Sequence, residues 1–179
     1  MITINEKNMD LAKVVLRDSP KQIERAANAA INRTASMVRA RSSKTIRNSY
    51  TAKAGIIKKA MSMKKGRLEA EVRAKGSPLI LSAFSMNVRK RGPVRVEVKK
   101  GHSVESKDLF IQQSARSKYK GVMQRTTSRS YPLRIPYRLS VPRMFGSVAT
   151  LEDLVPFAEE KLNERFLHEV QYRIGKGKR

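Results

Sequence analysis

Leu68-Glu69-Ala70-Glu71-Val72-Arg73-Ala74 and Val94-Arg95-Val96-Glu97-Val98-Lys99 alternate apolar and charged side chains at a period of two, the pattern of a half-buried strand. On their N-terminal side the period is different. Ile23, Ala27, Ala30, Ile31, Thr34 and Val38 recur at three- and four-residue steps, which puts them on one stripe of a helix running to about Ile46. Ser19-Pro20 opens that helix, with a serine N-cap ahead of a proline at the first helical position, where its missing N–H costs nothing. The change of period near residue 67 decides the fold class.

Working outward, Asn48-Ser49-Tyr50 interrupts the long helix, and Thr51 is expected to cap a second, shorter one. That helix runs through Ala54, Ile57 and Met61 to a point near Gly66. Beyond the first strand, residues 79–84 are a short apolar run, Arg89-Lys90-Arg91-Gly92-Pro93 is a basic turn, and residues 101–106 read as a loop. Leu109–Gln113 and residues 122–125 read as the arms of a hairpin with a long, polar, basic tip. Pro132, Pro136 and Pro142 follow. Proline removes a ladder donor, so residues 133–139 are taken as an extended edge segment.

The last helix is expected from Thr150, with Asp153 completing a capping box. Val155, Ala158, Leu162, Phe166, Val170 and Ile174 form its apolar face, and Gly175 is its C-cap. Pro156 should kink this helix or mark its true start. Helices, then strands, then a helix make the chain α+β. The expected architecture is N-terminal helices, a central, mainly antiparallel sheet of four to six strands, and a C-terminal helix packed on it. At 179 residues the chain is expected to form a single domain. Its parts are a basic helical part at 19–66, a strand-rich part at 67–142, the helix at 150–174 and a frayed tail at 175–179.

Hydrophobic residues make up 40% of the chain and charged residues 30%, enough apolar content for a folded core. Trp is absent and aromatics are 6%, so that core must come from Ile, Leu, Val, Ala and Met. With no cysteine, disulfides, cysteine nucleophiles and thiolate metal sites are excluded together. Such a chain fits assembly in a reducing cytoplasm. The first ten residues lack the apolar core of a signal peptide, and no stretch approaches the roughly 18 apolar residues of a membrane span. A soluble chain with no membrane partner is expected.

The net charge of +24 is unevenly placed. Residues 1–150 hold 33 Lys/Arg against 9 Asp/Glu, and residues 151–179 hold 6 of each. Between Glu24 and Glu69 there is no acid, while Arg25, Arg33, Arg39, Arg41, Lys44, Arg47, Lys53, Lys58, Lys59, Lys64, Lys65 and Arg67 follow one another. An ordinary solvated surface mixes both signs, because clustered like charges repel. A run of this kind points to a polyanionic partner, either nucleic acid or an acidic protein wall. Arg33, Arg39, Arg41, Lys44, Arg47, Lys58 and Lys59, with Arg89, Lys90 and Arg91 of the basic turn, are the candidate contacts. Nucleic-acid contact would be to phosphate, since no base-reading motif is present.

Motifs for chemistry are missing. His102 and His168 have no partner at metal-ligand spacing. The glycines stand singly in basic turns and form no phosphate loop. Glu69 and Glu71 share a strand face in a basic setting that favours ion pairs over catalysis. The expectation is a protein that is not an enzyme and needs no cofactor.

Phe110-Ile111-Gln112-Gln113, Val122-Met123-Gln124-Arg125, Tyr131-Pro132-Leu133 and Ser140-Val141-Pro142-Arg143-Met144-Phe145, ahead of a charged C-terminal helix, resemble the minor tail protein Z (tail completion) family of long-tailed bacteriophages. Ala29-Ala30-Ile31-Asn32-Arg33 followed by a basic helix is similar in style. The resemblance spans nearly the full length and is specific in residues 109–145. It implies a structural virion protein at the head-proximal end of the tail, from a phage or prophage, assembled in the host cytoplasm. Such a protein assists head–tail joining and placement of the DNA end. The implied partners are the tail terminator, the tail tube or the head connector, with several copies arranged as a ring and possible contact with the genome end. Gln112, Gln113 and Gln124 are candidate subunit-interface residues, able to hydrogen-bond across the hairpin or to a neighbour. Val141 and Pro142 join them at the turn feeding the last helix. The alternative is a non-specific nucleic-acid-binding protein that uses the same basic helices.

Overall fold

The computed structural model describes residues 2–16, 20–87, 93–113 and 120–176. Helices and antiparallel strands occupy separate stretches of the chain, so the fold is α+β. Its contacts gather into two compact units, where length alone would allow a single domain. One comprises Met1–Ser42, Met61–Ala74 and Val148–Arg179, and the other Ser43–Ala60 and Lys75–Ser147. The strands form three small antiparallel sheets, of two, three and three strands, in place of one central sheet.

The first unit holds α1 (Glu6–Val15), most of α2 (Pro20–Ser49), the hairpin of β1 (Met61–Lys65) and β2 (Ala70–Ala74), and α5 (Val148–Lys176). Its core joins Ala12 of α1 to Ala26, Ala27 and Ala30 of α2 and to Leu162, Phe166 and Val170 of α5. The last helix therefore packs on helices and not on a sheet. The buried α2 members of this core are small, and Phe166 is buried among them with no accessible surface. Pro20 takes the first position of α2, as its sequence predicts; Ser19 lies outside the described residues.

One helix is added here that the sequence reading left unassigned, and two expectations are corrected. Residues 6–15 are helical: Asn5 caps α1 by accepting from the Lys7 N–H at 2.9 Å, and its own N–H donates to Asn163 Oδ1 of α5 at 2.8 Å. The helix expected to reach Gly66 stops at Ala60. Met61–Lys65 is a strand, paired residue for residue with β2 from Met61↔Ala74 to Lys65↔Ala70. Met61 follows Ile57 at helical spacing and also precedes Met63 at a period of two, and the ladder offered by β2 decides between them. Helix α5 begins at Val148, ahead of the expected start at Thr150, which is buried inside it, and Asp153 is bound to Arg41. It continues through Pro156 and Gly175. Its buried positions are Leu154, Ala158, Leu162, Phe166 and Val170, while Val155 is exposed.

The second unit begins with the end of α2 and α3 (Ala54–Ala60). A short 3-10 turn, Leu81–Ala83, leads into a sheet of β3 (Ser85–Asn87), β4 (Val94–Lys99) and β5 (His102–Ser106), in that order. A second sheet orders β6 (Leu109–Gln113), β7 (Lys120–Arg125) and β8 (Leu133–Arg134), and α4 (Val141–Phe145) follows. Leu81, Val94, Val96, Leu109 and Val122 form the core. The expected hairpin is present, in register from Leu109↔Gln124 to Gln113↔Lys120. Residues 102–106, expected as loop, are a strand turned back from β4 at Lys100-Gly101, where Gly101 takes φ +79°. The short apolar run at 79–84 makes the 3-10 turn and no long strand.

Candidate polyanion interface

All twelve cations between Glu24 and Glu69 are exposed. Helical spacing explains this on α2, whose Ala26, Ala27, Ala30, Thr34 and Ala35 are buried and leave the intervening positions to solvent. Among the described residues only Arg41 and Arg67 of the twelve stand in ion pairs.

In the first unit, Arg41 is committed to the fold. Its Nη2 donates to Asp153 Oδ1 at 2.6 Å and its Nε to Oδ2 at 3.2 Å. The guanidinium lies 4.3 Å from the centre of the Phe157 ring, and the hydrogen bond to Asp153 pushes the Arg41 pKa up further. Arg67 holds Glu24 through two hydrogen bonds of 2.6 and 2.9 Å; that contact lowers the Glu24 pKa below the usual carboxylate value. Arg39 Nε donates to the Met61 carbonyl at 3.2 Å, tying α2 to the β1–β2 hairpin. Of the sequence-predicted contacts in this unit, Arg33 remains uncommitted.

In the second unit Lys44, Arg47, Lys58 and Lys59 are exposed and unpaired among the described residues. Lys58 and Lys59 occupy the last turn of α3 and Arg47 the last turn of α2, where cations complement the negative end of the helix. The chain brings further cations to the same end of α2. Lys100 N–H donates to the Ser49 carbonyl at 2.9 Å, Tyr50 bridges Lys99, and Thr51 N–H donates to the Val98 carbonyl at 3.1 Å. The Thr51 hydroxyl donates to the Glu97 carbonyl. Exposed Lys99 and Lys100 thereby join the end of α2, two residues that sequence reading passed over. Their signal was adjacency to Gly101 in a tight turn. Glu97, the acid of this strand end, is taken up by the Gly101 N–H at 2.8 Å. Arg89, Lys90 and Arg91 lie outside the described residues.

Of the residues expected at a subunit interface, Gln124 also has a partner within the chain. Gln124 stands opposite Leu109, not opposite Gln112, which faces Gly121. Its Oε1 accepts from Arg134 Nε at 3.1 Å and from Nη2 at 2.9 Å. Val141 is buried, and Pro142 sits in the first turn of α4 behind the Ser140 N-cap. The side chain of Gln113 lies outside the described residues.

A cavity of about 100 Å³ in the second unit is lined by Leu81, Val96, Val104 and Leu109, with His102 and Arg138; substrate pockets usually run to roughly 300–1,000 Å³. Among the described residues no group of three or more His, Cys, Asp or Glu is placed to hold a metal ion, and no helix is long and apolar enough to cross a membrane. No protein-family model matches the chain, and neither a curated protein nor a solved structure matches it.

Proposed function

We propose that this chain is a structural protein of a bacteriophage tail, of the minor tail protein Z kind. It acts without catalysis at the head-proximal end, where it assists head–tail joining and placement of the DNA end. One observation carries the polyanion-facing part of this reading: every cation of the acid-free stretch is exposed, and most have no anionic partner among the described residues. Like charges three or four residues apart on a helix destabilise it by about 0.2–0.5 kcal/mol per pair, a cost that an acidic connector wall or the genome end relieves. The tail assignment rests on the resemblance in residues 109–145. Those residues make one hairpin, the β8 edge and the Ser140-capped α4, all within the second unit.

The same uncommitted cations support a second reading, a protein that binds nucleic acid generally through phosphate. Gold-labelled antibody on particles purified from cells expressing the gene separates the two. Label at the head-proximal tail end is the expected result. Particles free of the chain, with the protein retained on bulk DNA, would favour the second reading.

A further inference from the structure

The first turns of α5 carry an exposed apolar surface. Val148, Leu151 and Val155 stand at i, i+3 and i+7 and are 71, 41 and 41% exposed. At about 100° per residue they fall within a sector of roughly 60°, a helix-docking stripe with nothing of this unit laid over it. Glu152 and Glu159 lie on the same side, both exposed and neither in an ion pair among the described residues. From Val148 to Glu160 the helix has four carboxylates and no cation. Asp153 is engaged by Arg41 and Glu160 by Lys161, so Glu152 and Glu159 remain to meet something from outside.

We infer that this face of α5 docks on a second copy of the chain, against residues 125–143 of its other unit. The inference rests on the structural-assembly reading above. No acid occurs between Asp108 and Glu152. Within that stretch Arg129, Arg138 and Arg143 are exposed beside Tyr131 and Tyr137, which are 69 and 56% exposed. Arg and Tyr are the side chains that most often anchor protein contacts.

Their backbone is held. Tyr137 bridges Ile80, Arg138 N–H donates to the Leu79 carbonyl at 2.8 Å, and Leu81 N–H donates to the Pro136 carbonyl at 3.2 Å. The Thr126 hydroxyl donates to the Pro132 carbonyl at 2.9 Å. A fixed Arg/Tyr platform matches an apolar stripe flanked by free carboxylates in both polarity and charge. The net charge of each copy does not forbid the contact, because fields are screened beyond about 8 Å at physiological ionic strength. Because the two surfaces differ, the contact is head-to-tail and propagates into a ring or a filament.

The test is sedimentation velocity of the full chain over a wide concentration range at physiological salt, with circular dichroism confirming each fold. The unaltered chain is expected to self-associate. Glu152→Arg with Glu159→Arg, and separately Arg129→Glu with Arg138→Glu, should each weaken association by about tenfold or more. An equimolar mixture of the two variants should restore it, since each then meets its opposite. An unaltered chain that stays monomeric overturns both this contact and the assembly reading beneath it. Association indifferent to both double substitutions, or not restored on mixing, overturns this contact and leaves the assembly reading in place.

Discussion

Phe166 shows how one residue sets the first unit. Its ring is wholly buried, in a cluster whose buried α2 members are Ala26, Ala27 and Ala30. Phe166→Ala should cost about 3–5 kcal/mol in chemical denaturation, because it leaves a cavity that the packed neighbours close only in part. Val155→Ala on the same helix should stay within about 0.5 kcal/mol, since Val155 is exposed. Equal losses at the two positions would contradict the packing. The sequence placed both residues on one apolar face. Helical spacing identifies Phe166 correctly; the buried stripe keeps a four-residue step back from Phe166 through Leu162 and Ala158 to Leu154, and Val155, three residues before Ala158, lies off it. Gln124 has a partner from a third strand that no hairpin reading supplies, since register puts it beside Arg134.

Among elements, long periodic ones were legible and short ones were not. The course of α2 and the strands at 70–74, 94–99 and 109–113 follow from spacing alone. The start of β1 does not, because Met61-Ser62-Met63 fits either period until β2 is paired with it. Strand β5 escaped because four of its five residues are exposed, leaving no alternation to read. Helix α1 depends on a cap: Asn5→Ala should lower stability by about 1 kcal/mol, measured by urea denaturation.

A pH effect belongs to α2 and the β1–β2 turn. Arg67 lowers the Glu24 pKa in the folded chain, so this contact adds stability above the usual carboxylate pKa and loses it as pH falls through the lowered value. Glu24→Gln should therefore reduce stability at neutral pH and flatten its decline in acid. A decline of unchanged steepness would remove Glu24 from the account. The same separation of roles distinguishes the cations. Replacing Lys44, Arg47, Lys58 and Lys59 by Gln should weaken binding to a polyanion, with the log–log salt slope falling by about 0.9 for each phosphate contact removed on duplex DNA. Arg41→Gln should instead act on stability, since Arg41 is bound to Asp153 and Phe157.

At the scale of the whole molecule, charge segregation is the feature the sequence announces most openly and the structure elaborates. The cations cover helices and turns across 150 residues, while residues 151–179 hold six of each sign and α5 is acidic where it begins. Charge counts give the sign of a partner. Which cations are free to meet it depends on hydrogen bonds such as those of Arg39 and Arg41, made to residues 22 and 112 positions away. The Lys99–Lys100 addition at the end of α2 has the same origin, a long-range backbone pairing with no local trace.

The central claim is that the chain is built to assemble, with its charge serving a structural contact. Light scattering on the purified protein, with and without short duplex DNA at low and physiological salt, tests it most directly. A multimer of fixed mass that forms without DNA and persists at physiological salt is the predicted result. A monomer that binds any duplex tightly, with affinity falling steeply as salt rises, would contradict it and make phosphate the target of the charge.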